Sequence, residues 1–291
     1  MNWDRAKSYT ILFLALLNVF MGAQLLAGRC EYRLDAARLG DIRAMLAGAD
    51  IGLGPGASVP LGYGPMRQLT LARYDYDYDA LVGLLFSRPA DVVRSDEPDE
   101  TVFRLDDAEL SVARDGYITF DDLGGTGLNG ALDEASARAL CDGYVKKMSK
   151  SMQGLRFDGA AYDRDAGGYR VFYTQAYKNT VIYTNFVKFL VTEAGVTQMD
   201  CFYGRPLGFS GAGMDICSPD VALLDFVYQI TGYYGNQAYD VSISRIDIVY
   251  SQEGSSVQDY KSLKATPYYR ITFFDGPEER DFLVNAYGAD R

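Results

Sequence analysis

The side chains that could do chemistry in this chain are carboxylates, tyrosines and four cysteines; histidine is absent from all 291 residues. Its absence removes Ser-His-Asp and Cys-His catalysis, His-ligated zinc and a histidine proton shuttle near neutral pH. Acid–base work would fall to Asp, Glu, Tyr or Lys. The carboxylates gather at Asp106-Asp107, Asp121-Asp122, Asp158, Asp163 and Asp165. A glycosidase needs two of them facing at a set separation, whereas acidic runs in polar loops read first as solvated surface. Asp75, Asp77 and Asp79 alternate with tyrosines as at the opening of a calcium loop. The loop position that needs Gly holds Ala80, however, and the one that needs Glu holds Phe86. The stretch therefore reads as a strand end, with Asp79 capping a helix over Leu81 to Phe86.

Gly125, Gly127 and Gly130 spell G-x-G-x-x-G. The following helix starts near Asp133, beyond the glycines, and no βαβ unit surrounds them, so they read as a linker. The cysteines are Cys30, Cys141, Cys201 and Cys217, with no C-x-x-C among them. Cys201 and Cys217 are expected to form a disulfide across a Gly-rich loop, worth about 3 kcal/mol by loop entropy. Cys141, on an apolar helix face, is expected to be a buried thiol. Tyr162, Tyr169, Tyr173, Tyr177, Tyr183, Tyr233, Tyr234 and Tyr239 would line a carbohydrate or peptide groove or pack strand surfaces, and packing is the favoured reading. No catalytic, metal or cofactor set is expected. The formal charge of -11 repels phosphate backbones and argues against nucleic acid as a partner.

The elements that would position these groups begin with an anchor. Residues 9–28 carry no charge, and a 20-residue helix spans about 30 Å, the thickness of a bilayer's hydrocarbon. Arg5 and Lys7 precede it, and Trp3 sits where an interfacial aromatic would lie. The charge bias favours a cytoplasmic tail over 1–8 and an extracytoplasmic body. Met21 and Leu25 fit poorly as signal-peptidase positions, and Arg29 separates Gly28 from the Cys30 that a lipoprotein signal would place next. An uncleaved single-pass transmembrane helix is the expectation. Leu12, Leu16, Val19 and Phe20, with Asn18, are its expected partner-contact surface. Asn18 either bonds a neighbouring helix or satisfies itself on its own backbone. Because Asp4, Arg5 and Lys7 leave residues 1–28 at +1, the body carries -12.

That body divides at about 132 into an N-terminal region over 29–132 and a C-terminal α+β region over 133–291. The first is expected to hold a helix near 30–46, a Gly/Pro-rich loop over 48–64, a strand near 66–74 and a hairpin turning at Arg114-Asp115-Gly116. The second is expected to use a helix–strand–strand–strand unit twice, from 133 and again from 218. Ser218 and Pro219 start the second helix, whose core face is Val221, Leu224, Phe226, Val227 and Ile230. With no helical crossovers, the sheets should be antiparallel.

The opening Met1-Asn2-Trp3-Asp4-Arg5-Ala6-Lys7, followed at once by an apolar helix with Asn18, resembles the YycI family. Further elements similar to that family are Val171-Phe172-Tyr173-Thr174-Gln175, Ser218 to Leu224, Ile246 to Tyr250, Pro267-Tyr268-Tyr269-Arg270-Ile271 and Val284 to Gly288. In the last two, Tyr269 stands where related domains carry Trp, and Tyr287-Gly288 lacks their Thr. The resemblance is strongest over 1–24 and 169–291 and weak over about 48–132. It implies a non-catalytic, single-span regulator working with a YycH-like protein, in a hetero-oligomer, on the sensor histidine kinase YycG (WalK) that governs cell-wall metabolism. A wall-polymer or peptide module and a carboxylate-based wall enzyme are the alternatives.

Overall fold

The computed structural model describes residues 11, 13–21, 34–54, 57, 59–60, 62, 64–122, 124, 127, 131–235, 240–252, 262–276 and 278–288. The chain forms two compact units. One takes Met1–Pro65, Asp215–Asp247 and Ile271–Asp290, and the other Met66–Met214 with Ile248–Arg270. Two long strands, β12 (Val241–Ser251) and β13 (Ser262–Asp275), contribute residues to both.

In the first unit, α1 (Ala36–Gly48) starts where the Asp35 side chain accepts the Arg38 N–H, an N-cap that satisfies an orphan donor of the first turn. It packs against α4 (Pro219–Tyr234). The short β1 (Ile51–Leu53) lies inside the expected loop and runs parallel to β12. With β14 (Glu278–Asn285) these elements enclose Ile42, Leu46, Ile51, Leu223, Phe226, Ile230, Ile243, Ile271 and Phe273. Phe226 is the hub: its ring meets those of Phe273 and Phe282 at 5.2 and 5.4 Å, separations at which aromatic edges and faces attract.

In the second unit, β2 (Met66–Ala72) is followed by α2 (Tyr78–Leu85). Then come β3 (Val93–Asp96), β4 (Glu100–Leu105), β5 (Ala108–Ala113) and β6 (Tyr117–Asp122), a meander of antiparallel neighbours through β5 and β6. The helix α3 (Glu134–Met148) opens on a reciprocal cap between Asp133 and Ser136. Next come β7 (Leu155–Asp163), β8 (Gly168–Tyr177), β9 (Thr180–Thr192), β10 (Gly195–Phe202) and β11 (Arg205–Met214). Hydrogen-bonded order runs β11-β2-β13-β12-β9-β10-β6-β5-β4-β3, with β8 also on β9 and β7 on β8.

The α+β class holds, while the expected helix–three-strand repeat does not. Five strands follow α3, because β7 and β11 form where Gly- and Pro-bearing sequence reads as loop, and three follow α4. The sheet is mixed rather than antiparallel, since β12 runs parallel to both β1 and β9. The long stretch between β9 and β12 supplies the connection that parallel neighbours require. Asp77, not Asp79, caps α2, its side chain accepting the Ala80 N–H at 3.0 Å.

The second unit buries polar groups and satisfies them. The Asn185 amide donates to Gln175 Oε1 and to the Gly204 carbonyl at 2.5 and 2.6 Å, and its oxygen accepts the Gly204 N–H at 2.9 Å. Gln175 in turn donates to the Gln153 carbonyl and the Tyr203 hydroxyl. Arg270, only 1% exposed, pairs with Asp158 on β7 and lies 5.6 Å from the Tyr183 ring centroid. Removing one partner of a buried ion pair strands a charge and costs about 3–5 kcal/mol, whereas replacing both with apolar groups costs far less. Asp158→Ala should therefore lower the urea midpoint strongly, and Asp158→Leu combined with Arg270→Met should recover most of the loss. Equal loss in both variants would contradict this account of the pair.

Candidate functional site

The groups singled out for chemistry are used mostly one at a time. Asp106 pairs with Arg88, Asp163 with Arg170 and Asp158 with Arg270. Among the described residues no group of three or more Cys, Asp or Glu is placed to hold a metal. The RYDYDYDA stretch sends Tyr74, Tyr76 and Tyr78 against the core and leaves Asp75, Asp77 and Asp79 exposed. The Tyr76 hydroxyl donates to the Gly116 carbonyl and accepts the Tyr203 N–H. The glycine-rich stretch lies partly outside the described residues; Gly127, at φ +73°, donates its N–H to the Ala194 carbonyl at 2.6 Å. The described tyrosines make separate contacts. Tyr162 and Tyr169 meet edge to face, the Tyr173 hydroxyl donates to Asp142, and Tyr183 lies beneath Arg270. Tyr239 lies outside the described residues.

Cys201 and Cys217 do not form the expected bridge. Cys201 is an inward residue of β10 in the core of the second unit, while Cys217 precedes α4 in the first, its N–H donating to the Ala286 carbonyl. Cys141 is buried as expected, and burial pushes both the Cys141 and Cys201 thiols up to about 12. Cys30 lies outside the described residues.

Of the expected anchor, residues 11 and 13–21 are described, and all are helical and exposed. Among the described residues no helix is long and apolar enough to cross a membrane. Trp3, Arg5, Lys7 and Leu12 lie outside the described residues. At 100° per residue, Leu16 and Phe20 share one side with Phe13, and Val19 flanks it. Asn18 points about 200° away from Leu16 and Phe20, in line with Ile11, Leu14 and Met21. Among the described members of the expected contact set, Asn18 therefore lies on the side opposite Leu16 and Phe20.

The sheet of the second unit offers a surface that sequence reading missed. One face is covered by α2 and α3, against which Ile118, Phe120, Val171, Val187, Phe189, Met199 and Cys201 pack. On the opposite face, Thr119, Asp200, Lys188 and Phe172 stand directly across from one another on β6, β10, β9 and β8. Lys188 Nζ sits 5.5 Å from the Phe172 ring centroid, within cation–π range. The Gln198 amide beside them donates to Asp121 at 3.0 Å. Partial burial raises the Asp200 carboxyl above the usual carboxylate range, and Asp121 adds to this, while Lys188 and Arg170 oppose it. The missed signal is the alternation of Gln198, Asp200 and Phe202 with Met199 and Cys201. Such a row can hold a polar ligand.

No family model matches the chain, and no curated protein matches it. Similar solved structures include an uncharacterized protein from Eubacterium rectale, at 12% identity and TM-score 0.47 over 82% of this chain and 88% of that one. YycH from Bacillus subtilis matches at 11% identity and TM-score 0.45, over 77% of this chain and 55% of that one. The C-terminal domain of YpeB from Bacillus megaterium matches at 11% identity and TM-score 0.38, over 74% of this chain and 94% of that one.

A carboxyl raised by burial binds its proton more tightly folded than unfolded. Asp200 therefore costs stability above its folded pKa, and the cost fades as pH falls toward the unfolded value of about 3.9. Asp200→Asn should raise the thermal midpoint at pH 7, with a gain that shrinks on acidification; a gain independent of pH would contradict the assignment. Alkylation after unfolding without reductant should label both Cys201 and Cys217, and a peptide pair still joined through them would contradict the structure.

Proposed function

We propose that this protein is a non-catalytic, membrane-anchored accessory regulator of a cell-wall sensor histidine kinase, with its amino terminus cytoplasmic and its body outside. The observation that carries the reading is the uncharged stretch over 9–28 behind Trp3, Arg5 and Lys7. Its described part is a helix whose apolar side chains, among them Ile11, Phe13, Leu16, Val19 and Phe20, are all exposed. Such a helix is stabilised by apolar surroundings. The resemblance to the YycI family supplies the partners: a YycH-like protein and the kinase. A regulator of this kind needs no chemistry; it shifts the kinase between states by binding one better than the other.

The helix geometry divides the work. The Asn18 side, with Leu14 and Met21, presents an amide that would otherwise lie unsatisfied in hydrocarbon, so it is the side that meets a partner helix, worth about 0.6–2 kcal/mol. The Leu16 and Phe20 side faces lipid. Replacing residues 9–28 with a neutral polyleucine span should abolish crosslinking to the kinase and the sister protein, and Asn18→Leu alone should weaken it several-fold. Undiminished crosslinking with the polyleucine span would sink the helix-contact reading.

A second reading, a binding module for a wall polymer or peptide, is favoured by the half-buried row of Thr119, Asp200, Lys188 and Phe172. It would be supported by saturable binding of soluble wall fragments that Asp200→Asn abolishes.

A further inference from the structure

The helix α4 is apolar on more sides than its own unit covers. It buries Ala222, Leu223, Phe226 and Ile230 in the core of the first unit. Val221 and Leu224, expected from the pattern to face that core, point outward instead, 51% and 56% exposed, and Tyr228 follows at 73%. Positions 221, 224 and 228 follow helical spacing, so the three side chains form one stripe along the helix. A single exposed leucine needs no explanation; a contiguous stripe of large apolar groups marks a contact surface.

The charges that α4 itself carries restrict what covers the stripe. Pro219–Tyr234 contains Asp220 and Asp225 and no Lys or Arg, and Asp225 is exposed next to Leu224. A second copy would bring its own acidic helix against this one, on a body that already carries -12. Anionic lipid is disfavoured for the same reason. We propose that the outward side of α4 is the docking surface for a different protein, one presenting apolar residues at helical spacing bordered by Lys or Arg. The apolar stripe supplies the buried centre of the interface and the exposed Asp225 its charged rim, which steers encounter and fixes partner choice. The surface is separate from the amino-terminal helix, so it stands whether or not that helix spans a membrane.

The test places the photo-crosslinking residue p-benzoylphenylalanine at position 228 of the full chain in its native host, with irradiation and mass-spectrometric mapping of the adduct. The expected result is an adduct to one other protein, at a segment where Lys or Arg borders apolar residues at helical spacing. Its yield should fall about tenfold in Asp225→Lys, since reversing a rim charge acts mainly on association. Gln229→Lys, on the same exposed side, gives a second variant should Asp225→Lys shift the thermal midpoint. No adduct, an adduct to a second copy or to lipid, or a protein adduct whose yield survives the charge reversal would overturn the proposal.

Discussion

Arg270 is a full charge held in the interior, and the second unit is arranged around satisfying it. A guanidinium removed from water is tolerated only with a counter-ion and good geometry. Asp158 supplies the counter-ion from β7, and the Tyr183 ring on β9 supplies a flat neighbour. The pair thus joins β7 to β13, strands that are not neighbours in the hydrogen-bonded order. The Gln175–Asn185–Gly204 hydrogen bonds act similarly, fixing β8 and β9 to the end of β10 without exposing an amide to solvent. Both devices tie together strands that backbone pairing alone leaves apart.

Much of the local structure was legible because its signals are local. Asp133 caps α3, and Pro219 opens α4 with its fixed φ, although the Ser218 side chain makes no capping hydrogen bond; both signals need no distant partner. Asp77 and Asp79 both fit that chemistry ahead of α2, and composition could not choose between them. The strands β7 and β11 were illegible for a different reason. Asp158-Gly159 sits at a shift in register against β8, and Pro206 and Gly208 flank another against β2, so each segment depends on a neighbouring strand to become one.

The candidate sites divide the same way. The apolar stretch behind Trp3, Arg5 and Lys7 can be read directly, and Gln175 and Arg270, quoted within the resemblance, turn out to be buried polar anchors of the fold. On α4 the pattern failed because apolar residues lie on most sides of the helix; tertiary packing selected Leu223 and Ala222 over Leu224 and Val221. The disulfide expectation failed because loop length says nothing about direction, and the pleat of β10 turns Cys201 inward. Asp200 was overlooked because a lone acid in a strand resembles any solvated acid until its neighbours across the sheet are known.

The acidic body, the helix of exposed apolar side chains and the outward stripe of α4 are the features on which the proposed binding role rests. The most direct test reconstitutes the sensor kinase in proteoliposomes and follows its autophosphorylation rate with and without the full chain. The account predicts a change of rate with the native 9–28 segment, lost when a polyleucine span replaces it. An unchanged rate with the native chain, or the same change with the polyleucine span, would contradict it.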